Sequence, residues 1–195
     1  IRARQRGATV IVVDPRRTLT VESLADVHLQ LKPGTDVALS NAMLKIIVEE
    51  SLQDETFVET RTSGLEELQA FLGTLDVDEL AEQAGVPLDA IREAARTYAR
   101  AERGCILYNA GVAQHASGIG SIRALADLAM LTGNYGRPGT GHHPPGSADV
   151  RGPAVDLRAH CPACHLPARQ AATAGAPRHA AAGRDAVRRQ DHAAR

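Results

Sequence analysis

Apolar and polar positions divide this chain into short continuous apolar runs and longer stretches with helical spacing. Val10-Ile11-Val12-Val13 is an unbroken β-branched run that stops at Asp14-Pro15-Arg16. A second run, residues 27–31, stops at Lys32-Pro33-Gly34-Thr35-Asp36, and a third, Cys105-Ile106-Leu107-Tyr108, stops at Asn109-Ala110-Gly111. Such runs suit buried strands of a parallel sheet covered on both faces. Between them, residues 40–51 place Ala42, Leu44, Ile47 and Val48 at helical spacing, with Asp36 or Ser40 available as a cap. Shorter helices are predicted over 54–60, 65–72 and 76–84. Residues 87–101 make a stronger case, with Pro in the first turn and Ile91, Ala94, Ala95 and Tyr98 on one face. A last amphipathic helix is predicted over 121–131. Residues 1–7 read as the end of a helix with Gly7 past its C-terminus. The expectation is a piece of a longer chain, with a preceding strand and helix.

Composition changes the picture at one place. Up to Gly141 the aliphatic content is ample for a core. Beyond it there is no Ile, Phe, Met, Tyr, Lys or Glu, while Ala, Arg, Pro and His dominate. Such a segment buries too little apolar surface to offset its ordering entropy. The expected division is therefore 1–141 globular and 142–195 a disordered, low-complexity tail. An out-of-frame read of GC-rich coding sequence would produce such a tail.

Charge and cysteine content narrow the function classes. With 22 basic and 23 acidic residues and a net charge of −1, no bulk pull toward nucleic acid or an anionic membrane is expected. No apolar run approaches the ~20 residues that span a bilayer, and no secretory signal opens the chain, so the expected location is cytoplasmic. Three cysteines are too few for a disulfide framework.

Ligands of open α/β sheets bind outside the carboxyl ends of the strands. The loops after the first two runs therefore point Asp14, Arg16, Thr35 and Asp36 toward one crevice. The bland reading of Asp14-Pro15-Arg16 is a strand-ending turn, and that of Asp36 is a helix cap.

Six segments carry a resemblance in order: GATVIVVDPRRT, ADVHLQLKPGTDVALSNAM, IVEESLQDETFVETRTSG, AGVPLDAIREAARTYARA, YNAGVAQH and IRALADLAMLTGNYGRPGTG. Together, over residues 1–141, they resemble the middle of the molybdopterin oxidoreductase family, nearest to formate dehydrogenase catalytic subunits. The resemblance implies a partial three-layer αβα Rossmann-like parallel sheet. It also implies a molybdopterin guanine dinucleotide cofactor carrying Mo or W. The family's loops matching Val12, Val13, Asp14, Pro15 and Arg16, and Gly34, Thr35 and Asp36, grip dinucleotide, with Asp36 aimed at guanine. Such a carboxylate accepts two hydrogen bonds from the base. The segment matching Ala110, Gly111 and Gln114 approaches the pterin; the family often has Met where this chain has Ala110.

The implied reaction is oxidation of formate, or a similar small substrate, with two electrons passing to a 4Fe-4S cluster and on to other redox subunits. The family's iron–sulfur Cys cluster and its molybdenum-ligating Cys or selenocysteine are not in these 195 residues. Its formate-facing Arg-Gly-Gln is replaced after Gly141, and Arg151 does not match it. No catalytic or metal-ligating residue is therefore assigned, and no turnover is expected of this chain alone.

Other classes were weighed on the same residues. Residues 80–98 read as helix, Ala-Gly-Val turn and helix, the arrangement of a helix-turn-helix DNA binder. The second helix, however, exposes Asp89 and Glu93 beside Arg92 and Arg96, which suits a phosphate backbone poorly. Cys161-Pro162-Ala163-Cys164-His165 has the spacing of haem attachment or a zinc half-site but lies in the coreless tail. His115 reads as surface polarity and Cys105 as a packed small hydrophobe. A plain nicotinamide-binding domain lacks its G-x-G-x-x-G.

Overall fold

The computed structural model describes residues 2–143. A helical turn, α1 (Arg2–Gln5), leads into β1 (Ile11–Val13), then α2 (Leu19–Leu24) and β2 (Val27–Leu29). Five helices follow: α3 (Asp36–Glu49), α4 (Glu55–Arg61), α5 (Leu65–Gly73), α6 (Val77–Ala84) and α7 (Leu88–Ala99). The chain ends through β3 (Cys105–Leu107), α8 (Ala110–Ala113), α9 (Gly118–Leu131) and β4 (Gly141–His143). β1 pairs with β2 in parallel, Ile11 opposite Val27, and β3 pairs with β4 in parallel, Cys105 opposite Gly141.

The core is built around α3. Ala38, Leu39, Ala42, Met43, Leu44, Ile46 and Ile47 are all buried, so this helix is covered nearly all round. It packs against α5, α6, α7 and α9. Its C-terminus closes in a Schellman arrangement: Ser51 turns left-handed at φ 52°, its N–H reaches the Val48 carbonyl at 3.2 Å, and Leu52 N–H reaches that of Ile47 at 2.9 Å. Caps fix the shorter helices. Asp54 accepts from Phe57 N–H at 2.9 Å, and Asp76 from Asp78 and Glu79 N–H at 2.8 and 3.0 Å. Gly85, at φ 72°, ends α6 and sends the chain into α7 through Pro87.

Several expectations are corrected. The described strands form two separate two-stranded sheets rather than one. They are not buried on both faces: Val13 is 46% exposed and Leu107 79%, and Cys105 is exposed as well. Each strand has only one paired neighbour among the described residues. The run 27–31 alternates instead of being uniformly buried: Leu29 and Leu31 face the core, while His28 is half-buried and Gln30 exposed. α3 begins at Asp36, its first helical residue rather than its cap; Thr35 precedes it without a side-chain cap. Ala110–Ala113 is a helical turn capped by the Asn109 side chain, not a loop. His142 and His143, assigned to the tail by composition, pair with β3. The remaining tail, with its Cys-x-x-Cys-His, lies outside the described residues.

α9 starts three residues earlier than its apolar spacing suggests. Its first residue, Gly118, lies so close to α8 that a Cβ there would overlap the Ala113 carbonyl. Gly118→Ala should therefore push α8 away from α9. The expected cost is about 1–3 kcal/mol, the usual range for overpacking, read as a lower urea midpoint with faster amide exchange at Val112–Gln114. An unchanged midpoint would show that α8 moves freely.

Candidate functional site: a crevice at the carboxyl ends of β1 and β2

The loop after β1 is held from both sides. The Asp14 side chain accepts from Arg16 N–H at 2.7 Å, folding Asp14-Pro15-Arg16 into a tight turn. Asp14 N–H donates to the Leu29 carbonyl at 3.3 Å. Two side chains of the strand 27–31 clamp the turn from outside it. His28 Nε2 donates to the Asp14 carbonyl at 2.9 Å, which sets its tautomer, and Gln30 Nε2 donates to the Pro15 carbonyl at 3.0 Å. The polar half of the alternating strand thus positions the loop.

The loop after β2 is a second turn. Thr35 N–H and Oγ1 both donate to the Lys32 carbonyl, at 3.2 and 2.6 Å, with Gly34 at φ 82° between them. Only glycine adopts that φ without strain. Lys32 also reaches away: its N–H donates to the Ala84 carbonyl at 2.8 Å and its Nζ to the Glu82 carbonyl at 3.0 Å. These bonds satisfy carbonyls at the C-terminus of α6 and lay the Lys32 stem across Gly85, where a Cβ would come within 2.7 Å of Cε.

A cavity of about 740 Å³ opens between these turns, lined by Pro15, Arg16, His28, Gln30, Leu31, Lys32, Pro33, Gly85, Val86 and Pro87. Its walls carry Arg16 and Lys32, the hydrogen-bonding side chains of His28 and Gln30, and no carboxylate. Such a lining combines positive charge with the flat faces of Pro15, Pro33 and Pro87.

Of the residues singled out from sequence, Pro15 and Arg16 line this cavity. Asp14 supports it from behind, its carboxylate spent on the turn. Val12 and Val13 belong to β1. Gly34 and Thr35 form the second turn, and Asp36 lies beyond it at the start of α3, half-buried. Burial pushes the Asp36 carboxyl above its ordinary range; its own backbone N–H and the charge of His115 pull the other way. The α8 region is therefore near Asp36, but Ala110, Gly111 and Gln114 are not part of the cavity wall. His28, Gln30, Lys32 and the Gly85–Pro87 turn were missed. The signal for the first three was present: Val27-His28-Leu29-Gln30-Leu31-Lys32 alternates with period two.

The helix-turn-helix reading loses its cations. Arg96 grips Glu50, just past the end of α3, through Nε and a terminal nitrogen at 2.6 and 2.8 Å, and Arg92 lies 3.9 Å from the same carboxylate. This pairing holds the Glu50 carboxyl below its ordinary range. Ile91, Ala94 and Ala95 are buried on the core side of α7. Among the described residues no group of three His, Cys, Asp or Glu side chains could hold a metal ion, and no helix is long and apolar enough to cross a membrane.

Two small parallel sheets with helical connections, and a cavity beyond the carboxyl ends of β1 and β2, define a mixed α/β protein. The chain belongs to the molybdopterin oxidoreductase family, whose pattern matches residues 1–180, well past Gly141. The formate dehydrogenase subunit alpha of Methanocaldococcus jannaschii is 42% identical over 160 residues, which cover 82% of this chain and 24% of that protein. Formate dehydrogenase H of Escherichia coli is 42% identical over 160 residues, 82% of this chain and 22% of its own. The assimilatory nitrate reductase catalytic subunit of Bacillus subtilis is 39% identical over 141 residues, 72% of this chain and 20% of its own. Among solved structures, acetylene hydratase from Pelobacter acetylenicus superposes with a TM-score of 0.68 at 34% identity, over 71% of this chain and 19% of that one. The chain thus spans about a quarter or less of the length of these relatives.

Proposed function

We propose that this chain forms part of a formate dehydrogenase-type oxidoreductase and that its part is to hold the dinucleotide end of a molybdopterin guanine dinucleotide. The observation that carries this reading is the carboxylate-free cavity between the two turns. Arg16 and Lys32 would balance phosphate charge there, His28 and Gln30 would keep the first turn rigid, and the proline faces would flank a flat ring. Asp36 would accept from the guanine edge at the side of the crevice nearest α8, with Ala110, Gly111 and Gln114 toward the pterin. The bound molybdenum or tungsten supplies the redox chemistry, while the protein supplies orientation and electrostatics. Formate is favoured over nitrate because two formate dehydrogenases match over a longer stretch than the nitrate reductase does. A three-layer αβα arrangement, a 4Fe-4S cluster and other redox subunits belong to this reading of the whole enzyme, as does a cytoplasmic location.

The test is titration of the chain with a guanine nucleotide, followed by NMR shift changes. Binding should be weak, with a dissociation constant on the order of millimolar, and centred on Arg16, Lys32 and Asp36. Asp36→Asn replaces an acceptor with a donor facing the base amine and should weaken binding by about 1–3 kcal/mol. Equal affinity of the two proteins would remove Asp36 from the site. Shifts scattered away from the cavity would remove the whole reading.

A further inference from the structure

We propose that Lys32 is an acylation site, and that its donors are small acyl phosphates held in the same cavity by Arg16.

The chain has two lysines, Lys32 and Lys45, and the fold treats them differently. The Lys45 side chain is 14% exposed, and its Nζ is held by the Glu49 carboxylate at 2.8 Å and the Leu72 carbonyl at 3.3 Å. An acyl donor reaches this amine only after the ion pair breaks and the end of α5 moves aside. Lys32 instead lies exposed in the cavity wall. Its Nζ meets a neutral carbonyl, that of Glu82 at 3.0 Å, and makes no ion pair among the described residues. Its stem runs so close to Gly85 that an added Cβ would stand 2.7 Å from Cε. The amine is therefore held in one place instead of sweeping through solvent. With one N–H given to the Glu82 carbonyl, the lone pair of the neutral amine points away from α6.

Exposure alone describes many surface lysines. The cavity adds a place for the donor. Arg16 lines the same wall, and a guanidinium matches a phosphoryl group through two parallel N–H bonds. No carboxylate in the wall repels a dianion, and Pro33, Val86 and Pro87 offer apolar surface to a short acyl chain. A donor with its phosphoryl group on Arg16 has its acyl carbon free to meet Lys32.

In the step, the lone pair of the neutral Lys32 amine attacks the acyl carbon. A C–N bond forms and the bond from that carbon to the phosphate oxygen breaks. Inorganic phosphate leaves with the electron pair, and the proton lost by nitrogen ends on the phosphate. The amide product keeps one N–H for the Glu82 carbonyl but carries no charge. The turn therefore persists while the cavity loses one of its two cations. Weaker nucleotide binding by the acylated chain would follow from the proposed function, whereas the reaction itself does not depend on that reading.

The test treats the full chain with acetyl phosphate at mildly alkaline pH and follows acetylation of each lysine by mass spectrometry of its peptides. Lys32 should react roughly tenfold faster than Lys45 or more, and the two rates should converge in denaturing urea. Arg16→Gln keeps the backbone N–H that Asp14 accepts, so the turn should fold as in the parent. The variant should slow Lys32 acetylation by acetyl phosphate roughly fivefold or more. It should leave the reaction with N-acetoxysuccinimide, an uncharged donor, within about twofold. Inorganic phosphate should slow the acetyl phosphate reaction of the parent at Lys32. Equal rates at the two lysines in the folded chain overturn the proposal. So does equal slowing of the charged and the uncharged donor by Arg16→Gln, or no slowing of either, since Lys32 would then be an exposed amine without a donor site. Absence of competition by phosphate on the parent overturns it without any variant. None of these readings involves guanine binding, so this inference and the proposed function fail separately.

Discussion

Replacing Asp127 with Asn should flatten the fall in this protein's stability from acid to neutral pH and make it clearly more stable above pH 7. Asp127 lies in the middle of α9 with only 1% of its surface exposed. Burial raises its carboxyl from 3.8 to about 7, against a smaller opposing pull from Arg123 one turn earlier. Between about pH 4 and pH 7 the folded protein therefore keeps a proton that the unfolded chain has released. Stability is greatest below the unfolded value and falls as pH rises through that window. Three units correspond to about 4 kcal/mol, a large share of the roughly 5–15 kcal/mol by which a domain is stable. Asp127→Asn keeps the shape and removes the titration. Its urea midpoint should match the parent's near pH 4.5 and exceed it clearly at pH 8. Parallel pH profiles for the two proteins would show that the buried carboxyl is already ionised at neutral pH.

The second large effect belongs to the centre of α3. Leu44 is completely buried and sits where α3 meets the other helices. Leu44→Ala removes its transfer free energy and leaves a cavity, at a cost of about 2–5 kcal/mol. With a urea dependence of about 1–3 kcal/mol per molar, the midpoint should fall by a molar or more. Leu19→Ala is the control, since Leu19 is 82% exposed and should change stability by less than about 0.5 kcal/mol. Similar losses for the two variants would mean that α3 is not the centre of the cooperative unit.

Strongly periodic elements were legible from residue order alone. Pro87 followed by Ile91, Ala94 and Ala95 marks α7 because three buried positions repeat at helical spacing. α2 left no such trace: six residues with one buried side chain, Val21, carry no period, and Thr18 is a weak cap with its bond at 3.4 Å. β4 was hidden because two histidines have no strand signature and their pairing depends on β3, more than 30 residues away. Strand burial was misjudged for a different reason. A β-branched run states only that a strand forms; how many faces are covered depends on its neighbours.

The site divided along the same line. Turns announce themselves through Pro, Gly and Asp, so Asp14-Pro15-Arg16 and Gly34-Thr35-Asp36 were found. Clamps do not: His28 and Gln30 act on carbonyls 14 and 15 residues earlier, a relation that exists only after β1 and β2 pair. Asp127 gives no signal in the sequence, because a single acid in an amphipathic helix fits an ordinary solvent-facing position.

The position of α3 at the centre also has a consequence during synthesis. Its flanks are covered by α6, α7 and α9, which are made later, so the last of its cover arrives only with residue 131. At about 5–20 residues per second, the roughly 80 residues separating the two helix ends take several seconds to appear. Throughout that interval a helix that the finished fold buries nearly all round lacks part of its packing partners. The ribosome therefore presents α3, with the strand residues that share its core, to the chaperones that bind unfinished cores.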